Sequence, residues 1–320
     1  MLQQGQAVDL GMKMLPEWAR VVLRQIRIDI PRTHAQKGSV AQQLLEEGIV
    51  QAMLERILFV WAIRHPAAGY VQGLNDMLLP MISVLLQPIV SQPQQFATQP
   101  SQNSSSQSSS SQSAIISTEQ MRTPTIQGRS IMREQLIIDC TKLKLIPVQE
   151  LRAVEADAYY CFAALIDSLQ DSYTHAQLGI QRMVALMEQI VRKGFGDRGQ
   201  RVAQHLVDDC GMDFMQFSFR WMNCLLVREF PPRLYHRLLD SYFSIGSTFG
   251  TFHVCVCAAL LMYFEKDLLA KDFQGCVMFL QVLPTEKWVY VDMEKLLSSA
   301  NRLYSALKSV KTSNNQNKIG

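Results

Sequence analysis

Apolar residues recur along this chain every three or four positions, the spacing of helices that bury one face. Val50, Met53, Leu54, Ile57, Leu58 and Trp61 keep that rhythm and predict one helix over Gln42–Ile63. His65-Pro66 ends it, because the residue before a proline is disfavoured in helical conformation. Val154, Ala158, Cys161, Phe162, Leu165, Ile166 and Leu169 form a second stripe. Further helices are expected at Met183–Arg192, Phe214–Val227, Leu234–Phe243, Phe252–Phe264, Phe273–Gln281 and Met293–Leu307. Phe214, Phe217, Trp221 and Leu225 share one face, and Pro231-Pro232 stops the chain soon after. No stretch alternates with period two between hairpin turns. The expected fold class is all-α.

One segment breaks the rhythm. From Ser91 to Ser113 the chain is rich in Ser, Gln, Asn and Pro and has no charged residue. Such a composition buries too little apolar surface to offset its ordering entropy, so a disordered insert is expected over about 91–130. The organisation predicted is a poorly ordered lead-in over 1–17, one multi-helix domain over 18–308 split by the insert, and a disordered tail over 309–320.

Composition narrows the class. Of 320 residues, 48% are apolar and 18% charged, as in a globular protein. A net charge of +3, with no basic run, gives no footprint for nucleic acid. The apolar runs Met77–Val90 and Val254–Phe264 fall short of the roughly 20 residues of a membrane span, and Pro80 and Pro88 interrupt the first. No transmembrane segment is therefore expected. The N-terminus lacks the basic and apolar regions of a signal peptide, and seven cysteines without tight spacing suggest reduced thiols. A cytoplasmic protein is expected.

Two segments place polar residues beside strong helices. In Ile26-Arg27-Ile28-Asp29-Ile30-Pro31-Arg32, Pro31 should end the helix near Ile30 and project Arg32 from a loop. Arginine suits phosphate because its planar fork donates parallel hydrogen bonds and keeps its charge. Asp29 is placed to hold that guanidinium, although an Asp-x-x-Arg pair is usually a surface ion pair. In Gly69-Tyr70-Val71-Gln72-Gly73-Leu74-Asn75-Asp76, two glycines allow a sharp bend and close approach to a partner. The Gln72 amide both donates and accepts, which suits orienting a water. A plain helix–helix turn with Gln72 solvated is the other reading. His253, Cys255 and Cys257 are expected in the core, since residues two apart point to different sides of a helix; no metal site is expected. No P-loop sequence is present, so no nucleotide site of the chain's own is expected.

Taken in order, Ile26-x-x-Asp29-x-x-Arg32 and Tyr70-x-Gln72-Gly73 resemble the signature pair of TBC-domain Rab GTPase-activating proteins. Phe217-Ser218-Phe219-Arg220-Trp221 followed by Arg228-Glu229-Phe230-Pro231 resembles the family's third block, and the wider strings RQIRIDIPRT and FRWMNCLLVREFP are similar to the member-22 subfamily. The resemblance implies that Arg32 is an arginine finger and Gln72 a glutamine finger. Asp29 and Tyr70 would position them, with Gly73 giving backbone access. Arg220 and Trp221 are read as packing residues from their own positions, Trp221 on the apolar stripe and Arg220 within reach of Glu229. The resemblance implies a GTP-bound Rab as partner, accelerated in its hydrolysis, with GTP and Mg²⁺ carried by that partner and no cofactor of the chain's own. It also implies peripheral recruitment to Golgi or early secretory membranes. A TBC scaffold that binds a Rab without stimulating hydrolysis is the alternative.

Overall fold

The computed structural model describes residues 15–91, 139–174 and 176–316. Among these the chain is helical, with short 3₁₀ turns and no strand. The helices are α1 (Glu17–Asp29), α2 (Val40–Glu46), α3 (Gly48–Arg64), α4 (Leu74–Ser91), α5 (Val148–Ile166), α6 (Leu178–Gly194) and α7 (Gly196–Gln204). They continue as α8 (Phe214–Asn223), α9 (Pro232–Ile245), α10 (Phe249–Tyr263), α11 (Glu265–Leu269), α12 (Phe273–Gln281) and α13 (Tyr290–Gln316). The insert expected at about 91–130 and the lead-in lie outside the described residues, save Ser91 at the end of α4 and the few residues entering α1.

At the centre is α10, flanked by α6 and α13. Phe249 and every residue from Phe252 to Met262 are buried, which explains an apolar composition all round the helix. The helical run Pro232–Tyr263, α9 and α10 with the turn between them, has a mean hydropathy of 1.7 in its most apolar window, long and apolar enough by length and composition to cross a membrane. That corrects the reading from shorter runs. Here 67% of the window is buried inside the fold, and Gly246, at φ 73°, turns the chain between α9 and α10. His253 is enclosed in this core: the Tyr242 hydroxyl donates to Nδ1 over 2.6 Å, and Nε2 donates to the Trp221 carbonyl over 3.1 Å. Burial holds its imidazole down to a pKa of about 3, so it is a neutral, satisfied core side chain.

The helices depart from expectation in several places. The helix expected over Gln42–Ile63 is two, because Glu47 takes an extended conformation (φ −82°, ψ 120°) and Gly48 starts α3. Pro80 and Pro88 do not interrupt α4 but lie inside it. The helix expected over Phe214–Val227 ends at Asn223, with Leu225 and Leu226 left-handed at φ 49° and 63°. At the far end, α13 runs through Gln316, into the stretch expected to be a disordered tail.

Candidate functional site

The two signature segments meet where α1 ends and α4 begins. Ala19, Leu23 and Ile26 set the buried face of α1, and Asp29 falls on that same face, 2% exposed. Pro31 then tightens the chain into a 3₁₀ turn, Ile30–Arg32, that swings Arg32 outward. Arg32 is exposed and, among the described residues, makes no hydrogen bond or ion pair. The expected Asp29–Arg32 pairing is therefore absent. Asp29 accepts from Gln25 Nε2 over 3.1 Å instead and faces the Tyr70 hydroxyl. Burial, reinforced by Asp29 and Asp76, pushes the Tyr70 phenol well above its ordinary pKa, so Tyr70 stays a neutral donor.

On the other side, α3 stops at Arg64 and a loop leads to Gln72, which is exposed, and Gly73, which is buried. Gly73 sits at φ 107°, outside the range of L side chains, and a Cβ there would lie 2.7 Å from Cys224 Sγ and 2.9 Å from Asn223 Nδ2. The Asn223 side chain anchors this loop, donating to the Gln72 carbonyl over 2.9 Å. The backbone around Gln72 is held, while its exposed side chain makes no hydrogen bond among the described residues.

One side chain joins the two loops. Asn75, 2% exposed, accepts at Oδ1 from the Tyr70 hydroxyl over 3.2 Å and from the Gly73 amide over 3.1 Å. Its Nδ2 donates to Thr33 Oγ1 over 2.9 Å and lies 3.4 Å from the Asp29 carbonyl. Arg32 and Gln72 thus each stand one residue before a group bonded to the same amide. Its neighbour Asp76, fully buried, accepts the His34 amide at Oδ1 over 2.7 Å and the Arg228 guanidinium at Oδ2 over 2.7 Å. Burial works most strongly against the Arg228 charge, but Asp76, Cys224 and Glu229 together outweigh it and raise the guanidinium's pKa.

Arg228 reaches Asp76 because the chain reverses after α8. Leucine in the left-handed region costs roughly 1–2 kcal/mol, and two in succession persist only where surroundings fix them. Both leucine side chains are buried, and the Leu226 amide donates to the Trp221 carbonyl over 3.2 Å. Arg220 and Trp221 lie where packing roles put them. Arg220 donates to Glu229 over 2.8 Å and to the Gln281 carbonyl over 2.9 Å, and Trp221 is fully buried. A groove opens beside the arginine loop, lined by His34, Gln36, Pro80, Val84, Arg233 and His236 among others.

Asn75, Asp76, Asn223, Arg228 and Thr33 were missed as site residues. The signal available was the polar pair Asn75-Asp76 at the head of the apolar run Met77–Leu79, where a buried helix start would otherwise be apolar. We predict that Asn75→Ala destabilises the chain by about 2–4 kcal/mol, because it strands the Gly73 amide and the Tyr70 hydroxyl in a dry site. Urea unfolding measures this; a midpoint equal to wild type would show that the amide does not carry the junction.

Comparison with known proteins gives this fold a family. The Rab-GTPase-TBC domain family matches residues 12–269. The chain belongs to that family. It is 37% identical over 281 residues to human TBC1 domain family member 22A, covering 88% of this chain and 44% of that protein. To the GTPase-activating protein gyp1 of Schizosaccharomyces pombe it is 34% identical over 286 residues, covering 89% and 45%. Among solved structures, the Ypt/Rab-GAP domain of Gyp1p superposes with a TM-score of 0.70 at 32% identity, covering 92% of this chain and 76% of that one. The chain spans about half the length of the curated relatives it matches. The all-α architecture is that of a TBC domain, and both loops joined at Asn75 lie within the matched residues.

Proposed function

We propose that this TBC domain accelerates GTP hydrolysis on a Rab GTPase by presenting Arg32 and Gln72 together to the partner's nucleotide. Phosphoryl transfer to water is limited by positioning and by charge developing on phosphate oxygens, and an arginine supplied in trans is worth on the order of 10³–10⁵ in rate. Arg32 supplies that charge. Gln72 orients the attacking water with its amide. Asp29 acts through Tyr70 rather than on Arg32, and Tyr70, Asn75 and Gly73 fix the glutamine loop. GTP and Mg²⁺ come with the GTP-bound Rab. The partner proposed is a Rab of the Golgi or early secretory pathway, met by a cytoplasmic protein recruited peripherally to those membranes; the resemblance to member 22 is what supports this choice.

What supports this reading is a single observation: two exposed side chains of complementary chemistry project from loops that share one buried amide, Asn75. A protein that only holds its partner has no need to lock both loops while leaving both tips free. Single-turnover GTP hydrolysis across a panel of Rabs tests it. At least one Rab should be stimulated about 10³-fold or more; uniform binding without stimulation would favour the scaffold reading.

A further inference from the structure

Far from the loops at Asn75 in sequence, three metal-ligating side chains converge at the end of α7. There the helix widens into a π turn, His205–Asp209, closed by a hydrogen bond of 2.9 Å from the Cys210 amide to the His205 carbonyl. Residues five apart diverge around an α-helix of 3.6 residues per turn but are brought to one side by a π turn, a feature common at functional sites. Cys210 Sγ accordingly lies 3.7 Å from His205 Nε2. Cys276, on α12, completes the set from across the fold, and the three ligand atoms all lie within 4.8 Å of one another.

We propose that His205, Cys210 and Cys276 bind a thiophilic divalent cation of the Zn²⁺ class, clipping α12 to the end of α7. Tetrahedral zinc with bonds of about 2.0–2.1 Å to nitrogen and 2.3 Å to sulfur separates N from S by about 3.6 Å and S from S by about 3.8 Å. The present spacing needs only a small inward movement. The Lys271 carbonyl stands 2.9 Å from His205 Nε2 and 3.8 Å from Cys276 Sγ, which gives the fourth position an oxygen or a water held against it. Asp209 Oδ2 lies 3.4 Å from His205 Nδ1. Once a cation takes Nε2, that carboxylate accepts from the ring proton on Nδ1, the usual support of a metal-bound histidine. Binding exchanges the two thiol protons, released to solvent, for two sulfur–metal bonds, and the His205 ring proton moves from Nε2 to Nδ1. Cys276 is fully buried, whereas His205 and Cys210 are part-exposed, so the ion enters from their side.

The test uses the full chain, reduced and free of any metal-binding tag. Loaded with Co²⁺, it should show thiolate-to-cobalt charge transfer and the visible bands of a tetrahedral site. Loaded with Zn²⁺ and gel-filtered, it should retain about one ion per chain, and its melting temperature should rise on the order of 5–10 °C at about a hundredfold excess over Kd. Cys210→Ser and His205→Gln, both at part-exposed positions, should each abolish the charge-transfer band and cut retention more than tenfold, while Cys161→Ser changes neither. Absence of the band in wild type, or retention unaltered in Cys210→Ser, would overturn the site. So would a Cys210–Cys276 disulfide that forms without bound metal and persists under mild reductant.

Discussion

Arg32→Ala should fold like the wild type and lose on the order of 10³-fold or more of stimulated GTP hydrolysis, the scale of an arginine supplied in trans. The expectation rests on where Arg32 sits. It is exposed on a 3₁₀ turn and makes no hydrogen bond or ion pair among the described residues, so its removal leaves neither cavity nor orphaned partner. Arg32→Lys should fare little better, because an ammonium is a point charge and cannot bond two phosphate oxygens in the arginine geometry. Thermal melting separates a folding defect from a catalytic one, and single-turnover hydrolysis measures the loss. Retention of more than about a tenth of the wild-type rate, under ~1.4 kcal/mol of barrier, would remove Arg32 from the mechanism.

The second large effect is expected at Gln72. Gln72→Ala should lower stimulated hydrolysis about 10²-fold, the cost of a misplaced nucleophile, while leaving the fold intact. Asn223 bonds the Gln72 carbonyl and Gly73 sets the turn, so the backbone stays in place when the side chain is cut back. Rab binding, measured with a non-hydrolysable GTP analogue, should change little. A fall in affinity as large as the fall in rate would make Gln72 a docking residue rather than a water-orienting one.

How much of this was legible beforehand follows from the range over which each signal acts. The amphipathic stripes were readable because a 3.6-residue period is local. Stripes such as Val154–Ile166 gave real helices, and Phe273–Gln281 coincides with α12. The outward Arg32 was readable because Pro31 acts on its immediate neighbours. Breaks imposed by tertiary structure were not. Nothing at Leu225 and Leu226 announces a left-handed conformation that leucine adopts only under constraint, and apolar spacing alone carried the expected helix past Asn223. Asp29 was misjudged for a related reason: three residues before Arg32, it suggested a local ion pair, while the phase of α1 turns it inward to Tyr70. The junction at Asn75 and Asp76 depends on Thr33, His34 and Arg228, residues up to 152 positions apart, and only the folded chain brings them together.

The central claim is that this domain supplies both catalytic side chains, and one measurement addresses it most directly. In the Ras-type arrangement the GTPase provides the water-orienting glutamine and its activator only an arginine. Changing the Rab's own glutamine to leucine therefore separates the two schemes, with single-turnover hydrolysis read for the wild-type domain and for Gln72→Ala. The leucine Rab should remain appreciably stimulated by the wild-type domain and lose that stimulation with Gln72→Ala. A leucine Rab that does not respond at all, alongside a Gln72→Ala domain fully active on the unaltered Rab, would contradict it.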